Sequence, residues 1–185
     1  PAVIACGGTW VAKPAMIAAG RFDEVERLYR EAAATARDLG LTVDVEAAEH
    51  TIPEPDFNAP DAKKSAGVVV REPDGRIWVV APSNAFGGYQ ATFPKGKMDK
   101  GLSTQATALL EAFEESGLQV RLVRHLVDVK RSTSYTRYYL AERVGGNPAD
   151  MGWESQAVML LPLQQLPQVL NSPNDRPIVE ALTLE

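Results

Sequence analysis

Three glutamates near the end of a predicted helix are the feature that most constrains this chain. They occupy positions 111, 114 and 115, just before Gly117, and apolar residues between 103 and 116 recur at helical spacing. Residues three and four apart share one face of a helix, so these carboxylates form a single acidic patch. Clustered carboxylates repel one another unless a cation lies among them, and hard oxygen ligands suit Mg²⁺ or Mn²⁺. The sequence therefore predicts a divalent metal site that a diphosphate substrate would complete.

The spacing around these glutamates resembles the Nudix box, whose pattern is G-x5-E-x7-R-E-U-x-E-E-x-G-U with U an aliphatic residue. The Pro94-Lys95-Gly96-Lys97 stretch that leads into the box also resembles that family. The resemblance implies an α+β fold, the Nudix α/β/α sandwich with a mixed sheet, over residues 64–185. The matching positions are Gly96, Glu111, Glu114, Glu115, Gly117 and Leu118.

The roles of these residues follow from the resemblance. Metal is expected at Glu111, Glu114 and Glu115, with the carbonyl oxygen of Gly96 as a further ligand. The general base is expected to be Glu111 or a later loop glutamate, which here is Glu154. The alternative for Glu154 is an ordinary surface carboxylate.

Two positions of the box depart from the family pattern. Leu102 and Leu110 stand where the family has a Glu and an Arg that are regarded as an ion pair supporting the catalytic loop. Replacing a whole ion pair by apolar residues is often neutral, whereas losing one partner is costly. The double change leaves the metal ligands intact but puts catalytic efficiency in doubt. Two functions therefore stay open: a metal-dependent hydrolase, and a weakened Nudix module that binds a phosphorylated ligand.

Substrate contacts are predicted from two groups of side chains. Lys95 and Lys97 flank Gly96 and are candidates to bind phosphate oxygens. The second group mixes cations with aromatic rings, and its last three members share one face of a predicted strand, which suits phosphates and a stacked base. A packed strand surface is the alternative for this group. Its members are Arg131, Tyr135, Arg137 and Tyr139, with Phe86 and Tyr89 as further candidates for the same cleft.

The substrate class stays broad at this stage. The resemblance implies cleavage of a phosphoanhydride in a nucleoside-diphosphate-linked, dinucleoside-polyphosphate or diphosphoinositol-type compound. The Pro-Lys-Gly-Lys stretch favours the last two of these classes.

Composition narrows the classes of partner. The chain has 185 residues and a net charge of −5, which disfavours nonspecific binding to nucleic acid or to a membrane surface. Its single Cys allows no intrachain disulfide, and no apolar run reaches the ~20 residues of a membrane span. We therefore expect a cytoplasmic protein whose partner is a small phosphorylated substrate, and a homodimer stays open.

Residues 1–50 read as a separate unit. A short strand and a Gly7-Gly8 turn precede a predicted helix from about Asp23 to Leu39, and alternation over 41–48 indicates a strand. Residues 4–10 and 17–25 resemble the last strand–helix unit of the keto-deoxy-phosphogluconate aldolase family. The resemblance implies a remnant without aldolase activity, because the family's Schiff-base lysine would lie upstream of residue 1. The alternatives are an accessory C-terminal domain of an aldolase fusion, and an unrelated strand and helix that pack on the Nudix core. The proline-rich residues 51–63 are assigned to a linker or to an extended lead-in to the main domain.

The rest of the chain alternates between β and α patterns. In the helix over 103–116, Ser103 is the predicted N-cap and an apolar stripe is expected to face the core. That stripe consists of Ala106, Leu109, Leu110 and Phe113. Strands are predicted over 67–70 and 77–80, joined at a Pro-Asp-Gly turn, and over 120–129, 135–144 and 157–161, with helices over 162–170 and 177–182.

Overall fold

The computed structural model of the protein describes residues 52–59, 63–83, 88–98, 102–131 and 134–184. All of them belong to one compact unit, Thr51–Glu185. The strands, helix and aldolase-like loop predicted within residues 1–50 lie outside the described residues, as does Phe86. Among the described residues, no helix is both long enough and apolar enough to cross a membrane.

The predicted strands and helices after residue 64 are confirmed, with ends that move by a few residues. The helices are α1 (Thr104–Ser116), α2 (Leu166–Val169) and α3 (Arg176–Thr183), and 3-10 turns occur at Pro148–Asp150, Leu163–Gln165 and Pro173–Asp175. One short strand, β3, was not predicted. The strands are β1 (Lys63–Arg71), β2 (Ile77–Pro82), β3 (Lys95–Lys97), β4 (Leu118–Lys130), β5 (Ser134–Gly146) and β6 (Ser155–Leu161).

The strands form one mixed sheet in the order β4-β5-β1-β2-β6, and β3 pairs with β1. Strand β1 runs parallel to β5 and antiparallel to β2 and β3, and the remaining pairs are antiparallel. The predicted α+β class with a mixed sheet is therefore confirmed.

Strand β1 carries an uninterrupted apolar run because both of its faces are buried. Val68 and Val70 pack in a cluster with Ala108 and Ala112 of α1. Val69, on the opposite face, packs in a second cluster that includes residues of α2 and α3. Alternate residues of a strand point to opposite faces, so a strand covered on both sides is apolar throughout. The sheet thus lies between α1 on one side and the C-terminal helices on the other.

Both predicted ends of α1 are confirmed. The Ser103 hydroxyl accepts a hydrogen bond from the Ala106 N–H at 3.1 Å. At the other end Gly117 adopts a φ of 70°, and its N–H donates to the Phe113 carbonyl. This left-handed conformation favours glycine because it has no Cβ. The helix that carries the glutamates is therefore fixed in register by its own sequence.

The predicted buried stripe of α1 is wrong. Ala106, Leu109 and Phe113 are half-buried, and Leu110 is 39% exposed. Small or short side chains cover the sheet instead, which lets the helix axis approach the strands closely and leaves the larger side chains at its flanks. The buried residues are Thr104, Gln105, Thr107, Ala108, Ala112 and Ser116.

Residues 52–59, which we call the lead segment, form neither helix nor strand and pack against the sheet and α1. The Gln105 amide donates to the Ile52 carbonyl and accepts from the Ile52 N–H, both at 2.9 Å. The Glu54 carboxylate accepts from the Thr104 hydroxyl at 3.1 Å. These hydrogen bonds tie the lead segment to the domain.

Candidate metal and phosphate site

A close contact between two strands positions the loop that faces the glutamates. Strand β3 pairs with β1 so that Lys95 lies opposite Gly67 and Gly96 opposite Ala66. A Cβ at Gly67 would lie 2.4 Å from the Pro94 carbonyl oxygen and 2.6 Å from the Lys95 Cβ. Only a glycine in β1 lets β3 approach this closely, and the approach brings Lys95 and Gly96 up to α1.

The structure brings together Gly96, Glu111 and Glu115, three of the residues that the resemblance assigns to the metal site. The Glu115 carboxylate accepts a hydrogen bond from the Lys95 N–H at 2.8 Å. The Glu111 carboxylate lies directly against Gly96, because a Cβ there would stand 1.8 Å from its Oε1 atom. Glu111 and Glu115 are four residues apart and therefore share the face of α1 that looks onto β3.

The third predicted ligand lies differently. Glu114 is exposed, one step round the helix from Glu115. Within the described part of the chain, no group of three or more His, Cys, Asp or Glu side chains is arranged to hold a metal ion. In place of the predicted cluster of three carboxylates, the structure has a pair, Glu111 and Glu115. The nearby charges of Glu114 and Glu154 raise the pKa values of both members of this pair.

The electrostatics of the pair suit a cation. Burial, together with the neighbouring charges of Glu115, Glu114 and Glu154, raises the pKa of Glu111 to about 7. Burial likewise raises the pKa of Glu115 to about 7, although Lys95 opposes the shift. Both shifts mean that the site holds more negative charge than its surroundings stabilise. Hard carboxylate oxygens with uncompensated charge are a suitable donor set for Mg²⁺ or Mn²⁺.

These pKa shifts predict how the stability of the metal-free protein depends on pH. The folded pKa of about 7 for Glu111 and Glu115 lies above the ordinary value of 4.5, so the folded state binds protons that the unfolded chain has released. The free energy of unfolding should therefore fall as pH rises from about 5 to 7. Urea denaturation in the presence of a chelator measures it, and Glu115→Gln should flatten the fall. A stability that rises over this interval and is unchanged by the substitution would contradict the shifts.

Lys95 lies between the glutamates and a polar cluster that consists of Tyr89, Arg131, Asn174 and Asp175. Its Nζ atom is 5.5 Å from the centre of the Tyr89 ring, and the Arg131 guanidinium is 5.7 Å from the same ring. Arg131 donates to the Tyr89 hydroxyl at 2.7 Å and to Asp175 at 2.9 Å. Asn174 also donates to the Tyr89 hydroxyl. Lys97, at the end of β3, is exposed.

Asp175 and Asn174 were missed by sequence reasoning. Their only local signal is a Ser-Pro-Asn-Asp turn before α3, and a turn of this composition predicts a bend rather than a partner for a distant arginine.

The four predicted cation and aromatic residues do not form one surface. The Arg131 guanidinium donates to the Tyr138 hydroxyl at 2.6 Å, on the side of the sheet that packs against α2 and α3. Tyr139 belongs to the opposite face, which packs against α1. Successive residues of a strand point to opposite faces, so Tyr138 and Tyr139 separate the group into two parts.

The prediction that Arg137 and Tyr139 face the substrate is wrong in this structure, because the lead segment covers them. Arg137 is 1% exposed and donates to both carboxylate oxygens of Asp128 at 2.8 Å. Tyr139 is fully buried, and its hydroxyl donates to Glu54. The half-buried ring of Tyr135 lies 5.6 Å from that of Phe57. These residues hold the lead segment in place rather than lining an open cleft.

The two leucines that replace the expected ion pair are both partly exposed. Leu102 is 37% exposed and Leu110 is 39% exposed. Neither has become part of the core, so burial of this pair contributes little to stability.

Comparison with known proteins identifies the family. The NUDIX domain profile matches residues 61–182. An RNA pyrophosphohydrolase of Caulobacter vibrioides is 28% identical over 102 residues, which are 55% of this chain and 56% of that protein. The chain thus spans about half the length of the curated relatives it matches.

Solved structures show the same fold. A NUDIX hydrolase from Nitrosomonas europaea matches with a TM-score of 0.59 and 11% identity, covering 66% of this chain and 89% of that one. The C. elegans Ap4A hydrolase matches with a TM-score of 0.55 and 17% identity, covering 66% and 96%. The profile match extends over more than half of the chain and includes the β3–α1 site. The chain therefore belongs to the NUDIX domain family.

Proposed function

We propose that this protein is a metal-dependent hydrolase that cleaves a phosphoanhydride bond in a diphosphate-containing substrate. The observation that carries the proposal is the pair Glu111 and Glu115, which face β3 together and whose pKa values are raised to about 7. A structural acidic surface would turn its carboxylates to water. Here the two carboxylates are largely buried and repel each other. A bound divalent cation would offset both the cost of burying their charges and the repulsion between them.

Each residue around this pair is assigned a separate role. Glu111 and Glu115 would hold the cation, with the Gly96 carbonyl and Glu114 as additional donors. A bound divalent cation would neutralise phosphate charge and help activate water. Lys95 would bind the diphosphate, and its charge is already close enough to lower the pKa of Glu115. Glu154 is the candidate base, since it is exposed to water and its charge reaches both glutamates.

The substrate is proposed to be a nucleotide-type diphosphate. The curated relative is named an RNA pyrophosphohydrolase and one structural relative an Ap4A hydrolase, and both names describe phosphoanhydrides attached to nucleosides. The Pro94-Lys95-Gly96-Lys97 stretch supports dinucleoside polyphosphates within this class. Diphosphoinositol compounds belong in the same test, because they present the same diphosphate group without a base.

The test is phosphate or nucleotide release from a substrate panel with Mg²⁺ or Mn²⁺. The panel contains dinucleoside polyphosphates, nucleoside triphosphates, 5′-triphosphorylated RNA, nucleotide sugars and diphosphoinositol compounds. We expect turnover of at least one member that stops when a chelator removes the metal. Absence of turnover on every member, with a folded protein, would refute the hydrolase.

The exposure of Leu102 and Leu110 favours one alternative, a NUDIX module that binds a phosphorylated ligand without cleaving it. Neither leucine belongs to the core, and neither can form the ion pair that the family has at these positions. Calorimetry of the same panel distinguishes the two functions, because a binding module would release heat with a ligand that it does not hydrolyse.

The close contact at Gly96 predicts an effect on activity that is separate from stability. In Gly96→Ala the new Cβ would meet the Glu111 carboxylate at 1.8 to 2.4 Å. That carboxylate is the end of a flexible side chain, so it can swing away at little cost to the fold. The free energy of unfolding should stay within about 1 kcal/mol of the wild type. The kcat/KM should fall about 100-fold, because displacing a reacting group by about 1 Å costs that much.

Gly145→Ala is the matched control for this substitution. Its Cβ would also meet the end of a flexible side chain, Gln119, at 2.7 Å, but outside the acidic pair. We expect it to leave kcat/KM unchanged. Equal activity of the two variants would show that the position of the Glu111 carboxylate does not matter for turnover.

A further inference from the structure

The backbone around Tyr89 is held by one side chain from the segment between α2 and α3. The Asn171 amide donates to the Gly88 carbonyl at 2.9 Å, and its oxygen accepts from the Gln90 N–H at 3.1 Å. These two residues are the neighbours of Tyr89 in the chain. A single asparagine thus anchors the backbone on both sides of this tyrosine.

The far end of the Tyr89 ring is held as well. Its hydroxyl accepts hydrogen bonds from Arg131 at 2.7 Å and from Asn174 at 2.9 Å. The Arg131 side chain is itself 7% exposed, and its guanidinium also donates to the Tyr138 hydroxyl at 2.6 Å and to Asp175 at 2.9 Å. A ring that is anchored at its backbone and at its hydroxyl presents a surface of fixed position.

The ammonium group of Lys95 lies over this ring. Its Nζ atom is 5.5 Å from the ring centre, within the ~6 Å over which the ring attracts a cation. The backbone of Lys95 is held by β3, where it pairs with Gly67 and donates its N–H to Glu115 at 2.8 Å. The lysine side chain therefore runs from a backbone bonded to the acidic pair to an ammonium that rests on Tyr89.

The aromatic ring holds Lys95 without cancelling its charge. Arg131 is paired with Asp175, but none of the ion pairs formed among the described residues includes Lys95. A carboxylate partner would neutralise the ammonium and compete with phosphate. An aromatic face attracts the ammonium and leaves it free to donate hydrogen bonds to an anion on its other side.

We propose that Tyr89 is a positioning residue, whose ring holds the Lys95 ammonium where it binds the diphosphate beside Glu111 and Glu115. This inference rests on the proposed function, because it takes the diphosphate to be bound there. A lysine that is free in solution loses rotamer freedom when it binds a ligand. A lysine that is already held in place avoids much of that loss, so the ring should increase the affinity for the diphosphate.

The experiment measures by calorimetry the binding of methylenediphosphonate, a diphosphate analogue that is not hydrolysed, in the presence of Mg²⁺. The variants are Tyr89→Leu, Tyr89→Phe, Lys95→Met and the double variant Tyr89→Leu/Lys95→Met. The two Tyr89 variants lose the same hydrogen bonds, so they differ only in the ring. Phe57→Leu is the matched control, because it removes a ring of the lead segment that lies 5.5 Å from the Lys64 Nζ atom.

We expect Tyr89→Leu to weaken binding about 2–12-fold and Tyr89→Phe to stay within about 2-fold of the wild type. Lys95→Met should weaken binding about 10-fold or more, because it removes a charged hydrogen-bond donor. The double variant should bind as Lys95→Met does, since a residue that acts only through Lys95 has no effect once the ammonium is gone. Phe57→Leu should leave the affinity unchanged.

Two further measurements separate positioning from a general structural role. Asn171→Ala releases the backbone around Tyr89 without touching the buried Arg131, so it tests the same role if Tyr89→Leu does not fold. It should weaken binding in the wild-type background and have no effect in the Lys95→Met background. Binding of Mn²⁺ alone, followed by electron paramagnetic resonance, should be the same in Tyr89→Leu as in the wild type. Thermal denaturation shows which variants are folded.

The outcomes distinguish this inference from the proposed function. If the losses in Tyr89→Leu and Lys95→Met add in the double variant, the ring acts independently of Lys95 and the inference is overturned, while the phosphate site stands. Equal weakening by Tyr89→Leu and Tyr89→Phe, or weaker binding of Mn²⁺ alone by Tyr89→Leu, overturns it as well. If the wild type does not bind methylenediphosphonate with Mg²⁺, the proposed site itself fails and the inference fails with it.

Discussion

Replacing Glu115 by Gln should remove metal-dependent turnover while making the metal-free protein no less stable. The substitution keeps an oxygen that can accept the hydrogen bond from the Lys95 N–H, which is 2.8 Å long in the wild type. It removes a charge that burial disfavours, as the raised pKa of Glu115 shows. Loss of a residue that merely orients a metal ligand costs about 10–100-fold, so loss of a ligand charge should cost about 100-fold or more in kcat/KM.

The measurement pairs kinetics with chemical denaturation at pH 8. Glu180→Gln is the control, because it removes the charge of an exposed helical glutamate in α3. The control should keep its turnover. Wild-type turnover by Glu115→Gln would exclude Glu115 as a metal ligand. A large loss of metal-free stability would show instead that the carboxylate charge stabilises the fold.

Arg137→Ala should be the most destabilising single substitution that we identify outside the site. The Arg137 side chain makes two hydrogen bonds to Asp128, donates to the Pro55 carbonyl at 2.8 Å and lies 3.3 Å from Glu54. Burial alone would raise the pKa of Asp128, but the hydrogen bonds from Arg137 and His125 outweigh it and lower that pKa. Removing the guanidinium takes the cation away from both carboxylates and leaves only the hydrogen bonds from His125 to Asp128 and from Thr104 and Tyr139 to Glu54. Breaking a buried ion pair costs about 3–5 kcal/mol.

Urea denaturation measures the loss, and Arg121→Ala provides the comparison. Arg121 is paired with Glu142 at 2.8 Å, but its side chain is 70% exposed. Exposed pairs contribute up to about 1 kcal/mol, so the control should stay close to the wild type. Similar losses in the two variants would mean that the lead segment is not held by its buried charges.

Sequence reasoning succeeded where the cause of a structure is local. Ser103 and Gly117 mark the ends of α1 because a cap depends on a few neighbouring residues. The resemblance to the box likewise implies that Gly96 and Glu111 lie at one metal site.

Sequence reasoning failed where a structural feature depends on residues that are far apart in the chain. Arg137 is bonded to residues more than 80 positions away as well as to Asp128, so no local pattern reveals that its strand face is covered. The apolar stripe of α1 was placed wrongly for a related reason. The hydrophobic pattern predicts which face of a helix is most apolar. In the structure α1 lies close to the sheet, so the face with short side chains is the one that is buried.

The small side chains beneath α1 have a consequence for how this site can change by mutation. Ala108 and Ala112 are fully buried against β1, so they set the height of α1 above the sheet and with it the separation of Glu111 from Gly96. A bulkier residue at either alanine would lift the glutamates away from β3 without touching a substrate. A mutational scan scored by turnover should therefore find these alanines as intolerant as the acidic residues. Variation that adjusts the site to a different ligand should then occur mainly in the exposed turns around it.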